Sequence, residues 1–182
     1  MSFQPKSPQM CSLWIRGKLF NYSIINAHAP MEDKTDSEKD AFYDELRKLY
    51  DACPRHDVKL IIGDLNAQIG KEAIYYSTIG KEAFHQESNE NGKRLIHFAA
   101  SRNMVIGSTL FQHKEIHKMT WRSTDMQYFS QIDHLLIDSQ HVSHLMDVRS
   151  HRCANVDSDH YLTVSRLRAR ISNAKKFFGK KG

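Results

Sequence analysis

Five residues, Val58-Lys59-Leu60-Ile61-Ile62, do most to limit what this chain can fold into. A short, nearly continuous apolar run without regular polar alternation is the pattern of a strand buried on both faces. Such a strand needs neighbours in a sheet and a covering layer on each side, so the chain must build a layered α/β domain. The run ends abruptly in Gly63-Asp64-Leu65-Asn66. Polar residues gathered where a buried strand stops are the first candidates for chemistry, although Asp and Asn also serve as ordinary turn residues.

The segments around this strand supply the covering layers. Residues 13–15 and 22–26 read as two short strands joined by Arg16-Gly17-Lys18, and Pro30 stops the second. Thr35-Asp36-Ser37-Glu38 has the capping-box pattern, and Phe42, Leu46, Leu49, Tyr50 and Cys53 recur at helical spacing until Pro54. Residues 70–91 are polar and irregular and are expected to form a long surface loop. A second helix is expected from Asn91-Gly92 to about Arg102, with Leu95, Ile96, Phe98 and Ala99 on its apolar face, leading into a strand at 104–106. Further strands are expected at 119–122, 132–137 and 161–167, with a helical piece at 142–146.

Composition agrees with one soluble domain. At 182 residues, with 40% hydrophobic and 26% charged residues and only 8 Gly and 4 Pro, the chain is long enough for a real core and unlike a disordered or fibrous sequence. No apolar run approaches a membrane span, and residues 1–10 lack the apolar stretch of a signal peptide. Cys11, Cys53 and Cys153 are odd in number and widely spaced, which argues against a disulfide framework and points to an intracellular, reducing compartment. The net charge of +5 suits a polyanionic partner or simply a basic surface. Residues 171–182 form a basic tail, read as a frayed terminus or a nuclear signal.

Hydrolysis of a phosphodiester needs charge neutralisation at the phosphate, an activated water and help for the departing oxygen. Magnesium is bound through one or two carboxylates while it keeps several waters, so its sites appear as isolated Asp or Glu residues. Asp64 follows Gly63, and Asn66 offers an amide able to donate and accept at once. Asp133 opens the apolar stretch Ile132-Asp133-His134-Leu135-Leu136-Ile137, where an unpaired carboxylate is costly, so it needs a partner. His160 is a suitable one, because a carboxylate on one ring nitrogen fixes the tautomer and raises the basicity of the other. Asp159 adjoins it and would face another direction. His28, in Asn26-Ala27-His28-Ala29-Pro30, closes a strand and can face a phosphate or solvent. Trp121 reads as a core residue, or as an aromatic beside a cleft.

Taken in order, Asn-x-His-x-Pro at 26–30, Gly-Asp-x-Asn at 63–66, Asn-Gly-x-x-Leu at 91–95, Thr-Trp at 120–121, Ile-Asp-His at 132–134 and Ser-Asp-His at 158–160 resemble the endonuclease/exonuclease/phosphatase superfamily. The resemblance runs through most of residues 13–168. The block from Lys118 to His134 is similar to the apurinic-type endonucleases of non-LTR retrotransposons. The resemblance implies a four-layer α/β/β/α sandwich with the site where strands end, and a reaction that cuts DNA with one Mg2+ or Mn2+ ion. It further implies that Asp64 orients water, Asn66 and His28 hold the phosphate, Asp159 with Asp64 serves the metal, and His160 paired with Asp133 meets the scissile phosphate or acts as base.

One departure accompanies the match. Family members open with a strand bearing an Asn and, later, a Glu that is the principal metal ligand; residues 1–12 contain no acidic residue. The expectation is a partial domain over residues 1–170, incomplete at its N-terminus, with an unpaired sheet edge, an exposed apolar face and weakened metal binding unless another chain supplies the missing half. A catalytically inert remnant binding DNA or protein, and a phosphatase or sphingomyelinase relative on the same scaffold, stay open.

Overall fold

A computed structural model of the chain describes residues 1–152 and 158–168. The basic tail and Cys153 lie outside the described residues. The central feature is a six-stranded sheet built from β1 (Ser2–Ser7), β2 (Met10–Ile15), β3 (Tyr22–Ala27), β4 (Val58–Asp64), β5 (Met104–Ile106) and β8 (Asp133–Asp138), in the order β1-β2-β3-β4-β8-β5. Between β5 and β8 the chain forms a small hairpin of β6 (Trp121–Arg122) and β7 (Phe129–Ser130); after β8 come β9 (Leu145–His151) and β10 (Leu162–Leu167), paired antiparallel.

β4 lies within the sheet, parallel to β3 and antiparallel to β8. Its side chains alternate between two cores, as the pleat requires. Ile61 joins Ile25 and Leu136 beneath the helices, while Val58 and Leu60 join Leu135 and Ile137 on the other face. The helical layer comprises α1 (Asp36–Ala52) and α2 (Glu90–Ser101). The capping box forms at the start of α1: the Thr35 hydroxyl accepts from the Glu38 N–H and the Glu38 carboxylate accepts from the Thr35 N–H. From α1, Phe42, Leu46 and Leu49 reach the sheet; from α2, Leu95, Ile96 and Ala99 do. The second face is covered by Leu145 and Val148 of β9 and Leu167 of β10. Helices, main sheet and small sheet thus form three successive layers among the described residues.

Several sequence expectations change. Residues 2–7 are a strand that hydropathy does not reveal, because β1 is an exposed edge with little apolar content; Phe3 is 62% exposed. The piece expected to be helical at 142–146 is a 3-10 turn over Ser139–His144, after which the chain straightens into β9. The loop at 70–91 is not wholly superficial: Ile79 and Ala83 are buried, and Ile79 makes an isolated parallel bridge to Ile106. The strand expected at 119–122 shortens to Trp121–Arg122. Exposed apolar side chains do occur on the small sheet, at Met146, Leu162 and Val164.

Candidate active site

Sheet topology gathers the strand-end residues. Because β3 and β4 run parallel, both end on the same side, and β8, antiparallel to β4, starts there. The register sets Asp64 directly opposite Asp133. Gly63 makes the join possible: its φ is 138°, and a Cβ there would lie 2.0 Å from the Ala27 carbonyl oxygen. Asn66 also has positive φ, 46°, with its N–H donating to Asp64 Oδ1 at 3.0 Å and its Nδ2 to the Ala29 carbonyl at 2.8 Å. One amide hydrogen of Asn66 is therefore committed to holding the β3 end, leaving the other for a ligand.

The second arm comes from the segment before β10. Trp121 and His160 form an isolated antiparallel bridge, flanked by hydrogen bonds from Arg122 N to Asp159 O (3.0 Å) and Tyr161 N to Thr120 O (2.8 Å). The Thr120 hydroxyl accepts from the N–H groups of both Ile132 and Asp133, at 2.9 and 3.0 Å, and fixes the start of β8. These constraints deliver His160 between two carboxylates. Its Nδ1 is 3.1 Å from Asp133 Oδ2, and its Nε2 is 3.8 Å from Asp64 Oδ2. His28 Nε2 approaches the same Asp64 oxygen at 3.8 Å from a largely exposed position.

Charge follows geometry. The hydrogen bond that Asp133 accepts from Nδ1 holds the His160 pKa above its ordinary value, and Asp64 and Asp159 add to this against partial burial. Burial raises the carboxyl pKa of Asp64; the Asn66 N–H opposes the rise and Asp133 reinforces it. Asp159 moves the other way, lowered chiefly by the Trp121 indole N–H, which donates to its Oδ2 at 2.9 Å. Trp121 is thus a half-buried wall of the cleft, not a core residue.

The cleft has a volume of about 400 Å³ and is lined by His28, Asp64, Asn66, Trp121, Asp159 and His160, all expected from the sequence. Its remaining lining residues include Met31, Glu32, Gln68, Asn89 and Ser130, which escape sequence reasoning. Asn89 carries a readable signal as the residue capping α2; Glu32 and Gln68 carry none. Beyond the cleft, the β6–β7 hairpin exposes Met126 and Tyr128, while Arg152 lies over the rings of Phe129 and Tyr161. Asp133 reaches the site through its hydrogen bond with His160 and its charge beside Asp64, and its neighbour His134 is buried in the core.

Asp64 and Asp159 both line the cleft, and carboxylate oxygen is the kind of donor that a magnesium or manganese ion takes. Among the described residues no three His, Cys, Asp or Glu side chains gather into a closed metal site.

These layers and strand ends are those of the endonuclease/exonuclease/phosphatase fold. The chain superposes on the endonuclease domain of TRAS1, a telomere-specific non-LTR retrotransposon, with a TM-score of 0.60 at 14% identity, covering 88% of this chain and 62% of that one. Against a 3'-5' exonuclease (NExo) from Neisseria meningitidis the TM-score is 0.60 at 18% identity over 88% of this chain and 65% of that one. For the Xenopus laevis APE2 catalytic domain it is 0.61 at 15% identity over 90% and 58%. In sequence the chain is similar to craniofacial development protein 2, with 34% identity over 166 residues to the Bos taurus protein and the same identity to that of Tragulus javanicus. The match takes in 91% of this chain but 28% of the bovine protein, so the chain spans less than a third of that relative's length. No family model matches. Among the described residues no helix is long and apolar enough to cross a membrane.

Proposed function

We propose that the chain is a metal-dependent phosphodiester hydrolase that cuts DNA as an endonuclease. The observation that carries this reading is the series Asp133–His160–Asp64, whose His160 and Asp64 line the cleft together with Asn66, His28 and Asp159. Water attacks phosphorus in line, so configuration inverts, the P–O bond to the departing sugar oxygen breaks, and that oxygen takes up a proton. Asp64 accepts the proton of the attacking water; burial makes it a stronger base than an exposed carboxylate. His160, its Nδ1–H held by Asp133, presents Nε2 to the phosphate as a hydrogen-bond donor. The second amide hydrogen of Asn66 and the exposed ring of His28 share the non-bridging oxygens.

Asp159 and Asp64 would hold the Mg2+ or Mn2+ ion, which neutralises charge on the phosphate when bound. The net charge of +5 and the Arg and aromatic residues about the hairpin suit a DNA backbone with accessible bases. A nuclear location is part of the same proposal, since it would give the protein access to DNA. A second chain offering a further carboxylate to the open cation site would tighten metal binding.

A second reading, DNA binding without cleavage, is favoured by the hairpin, whose exposed Met126 and Tyr128 and the neighbouring Arg152 over Phe129 and Tyr161 can meet nucleic acid without a metal. One experiment separates the two. Supercoiled plasmid is incubated with the purified chain and Mg2+ or Mn2+, with and without chelator, beside Asp64→Ala. Nicking that chelation abolishes and the variant loses by about a hundredfold or more supports the hydrolase. Equal background in parent and variant, with plasmid still retained by both, leaves only the binding reading. Inositol phosphates and sphingomyelin serve as competing substrates; preferential turnover of either would move the chain to the phosphatase or sphingomyelinase branch.

A further inference from the structure

The start of α2 does more than begin a helix. Asn91, 2% exposed, sends its Nδ2 to two backbone carbonyls at once: Pro30 O at 3.0 Å and Asn66 O at 3.0 Å. Pro30 follows the loop that carries His28, and Asn66 belongs to the loop that carries Asp64. Only an NH2 group can face two carbonyl oxygens, which fixes the orientation of the amide. That orientation leaves Asn91 Oδ1 buried without a hydrogen-bond partner. A buried acceptor left unmet is costly wherever it occurs, and such costs persist where other contacts over-determine the geometry.

Neighbouring contacts supply that over-determination. Glu32 Oε2 accepts from the Asn91 backbone N–H at 3.1 Å and from Asn89 Nδ2 at 2.8 Å. Asn89 Oδ1 accepts from Gln68 N at 3.0 Å and Gly92 N at 2.8 Å. A Cβ on Gly92 would sit 2.0 Å from the Gln68 carbonyl oxygen, so the first turn of α2 rests directly on the backbone beyond Asn66. Asn66 holds positive φ, a conformation that non-glycine residues keep only when the surroundings enforce it.

We infer that Asn91 is a positioning residue: it clips the Pro30 and Asn66 carbonyls together and so sets the spacing of the His28 and Asp64 loops that line the cleft. It is not among the residues that line the cleft and acts through Asn66. Its catalytic meaning rests on the hydrolase reading above; its structural meaning does not. Glu32 backs the clip from the exposed side.

The test measures amide hydrogen exchange by NMR on the whole chain, without metal or DNA. Asn91→Asp is isosteric but turns an oxygen towards the two carbonyls. Protection at Ala29 N–H, which donates to Asp64 O at 2.9 Å, and at Asn66 N–H should fall at least about tenfold. Protection at Leu60 and Ile61, inside β4, should stay as in the parent. Glu32→Ala should give the same pattern more weakly, and Glu32→Gln, which keeps an acceptor oxygen, should restore it. Should Asn91→Asp fail to fold, the Glu32 pair still decides. Unchanged protection at Ala29 and Asn66 in the folded variants, or loss spread evenly through β4, would overturn the inference. Plasmid nicking is assayed in parallel: kcat falls with KM nearly unchanged if the loops are displaced. A parent that does not nick sinks the hydrolase reading alone, since exchange still reports the clip.

Discussion

His134 and His160 sit at two ends of the same chemistry and end up with opposite duties. Each ring has a partner on Nδ1: the Ser108 hydroxyl for His134 at 2.7 Å, the Asp133 carboxylate for His160 at 3.1 Å. The second nitrogens differ. His134 Nε2 donates to the Ala67 carbonyl at 2.7 Å, which forces Ser108 to donate to Nδ1, so the ring is fully satisfied as a neutral group. His160 Nε2 has only Asp64 at 3.8 Å and looks into the cleft. Burial drives the His134 pKa down, while a carboxylate partner drives the His160 pKa up. The lesson is that the partner on the second nitrogen, more than the presence of a histidine in a motif, separates a structural ring from a reactive one.

The largest expected effect breaks the comparison on the His160 side. His160→Ala removes the only imidazole joining Asp64 to Asp133, and nicking should fall about 10²- to 10⁴-fold. Asp133→Asn keeps the shape but changes which Nδ1 tautomer is favoured, so its loss should be of similar kind, and the two changes together should cost little more than either alone. Thermal unfolding should move far less than activity, because His160 lines the cleft and Asp133 stays part-exposed beside it. Fully additive losses in the double variant would show that the two residues act separately.

The same comparison predicts the reverse for His134. Substitution by Ala leaves the Ala67 carbonyl and Ser108 hydroxyl without partners in a closed core, a stability loss of about 2–4 kcal/mol. Its pH dependence has a defined sign. A histidine whose folded pKa lies below the unfolded value of about 6.5 stays neutral in the native state while the unfolded chain takes up a proton. Stability is therefore intact above about pH 6.5 and declines as pH falls towards the folded pKa. His85, lowered to about 4 mainly by burial, acts in the same direction. Chemical unfolding of the parent between pH 7 and 4 should show this decline, and His134→Gln should flatten part of it. A parental profile as flat as the variant's would mean that His134 is not buried neutral.

This contrast also explains what the sequence could reveal. The β4 run, both helices and the strand ends at Asp64, Asp133 and Asp159-His160 were legible because each has a strong local pattern. Adjacent residues of a strand face opposite sides, so Asp133 and His134 had to part company, yet nothing local told which would meet the cleft. β1 was illegible because an exposed edge strand needs no apolar alternation. β9 was masked by the polar turn that precedes it. Glu32 and Gln68 enter the cleft wall through contacts with α2, more than fifty and twenty residues away respectively, a relation no local window contains.

Trp121 offers the smallest and most selective probe of the same rule, that a partner's hydrogen bond tunes a group by its exposure. Its indole N–H restrains the Asp159 carboxylate and keeps that pKa low, but the pair lies at the surface, where such a bond is worth little. Trp121→Phe keeps an aromatic wall and loses only the donor, so nicking at saturating metal should drop about two- to fivefold, with DNA affinity unchanged. The metal concentration giving half-maximal rate should change with it, since Asp159 is freer to turn and more readily protonated. Trp121→Ala also removes the ring and should weaken DNA binding as well. If Phe and Ala behave alike, the ring contributes nothing beyond its N–H; if Phe equals the parent, Asp159 is held by its backbone contact to Arg122, and the indole is only a wall.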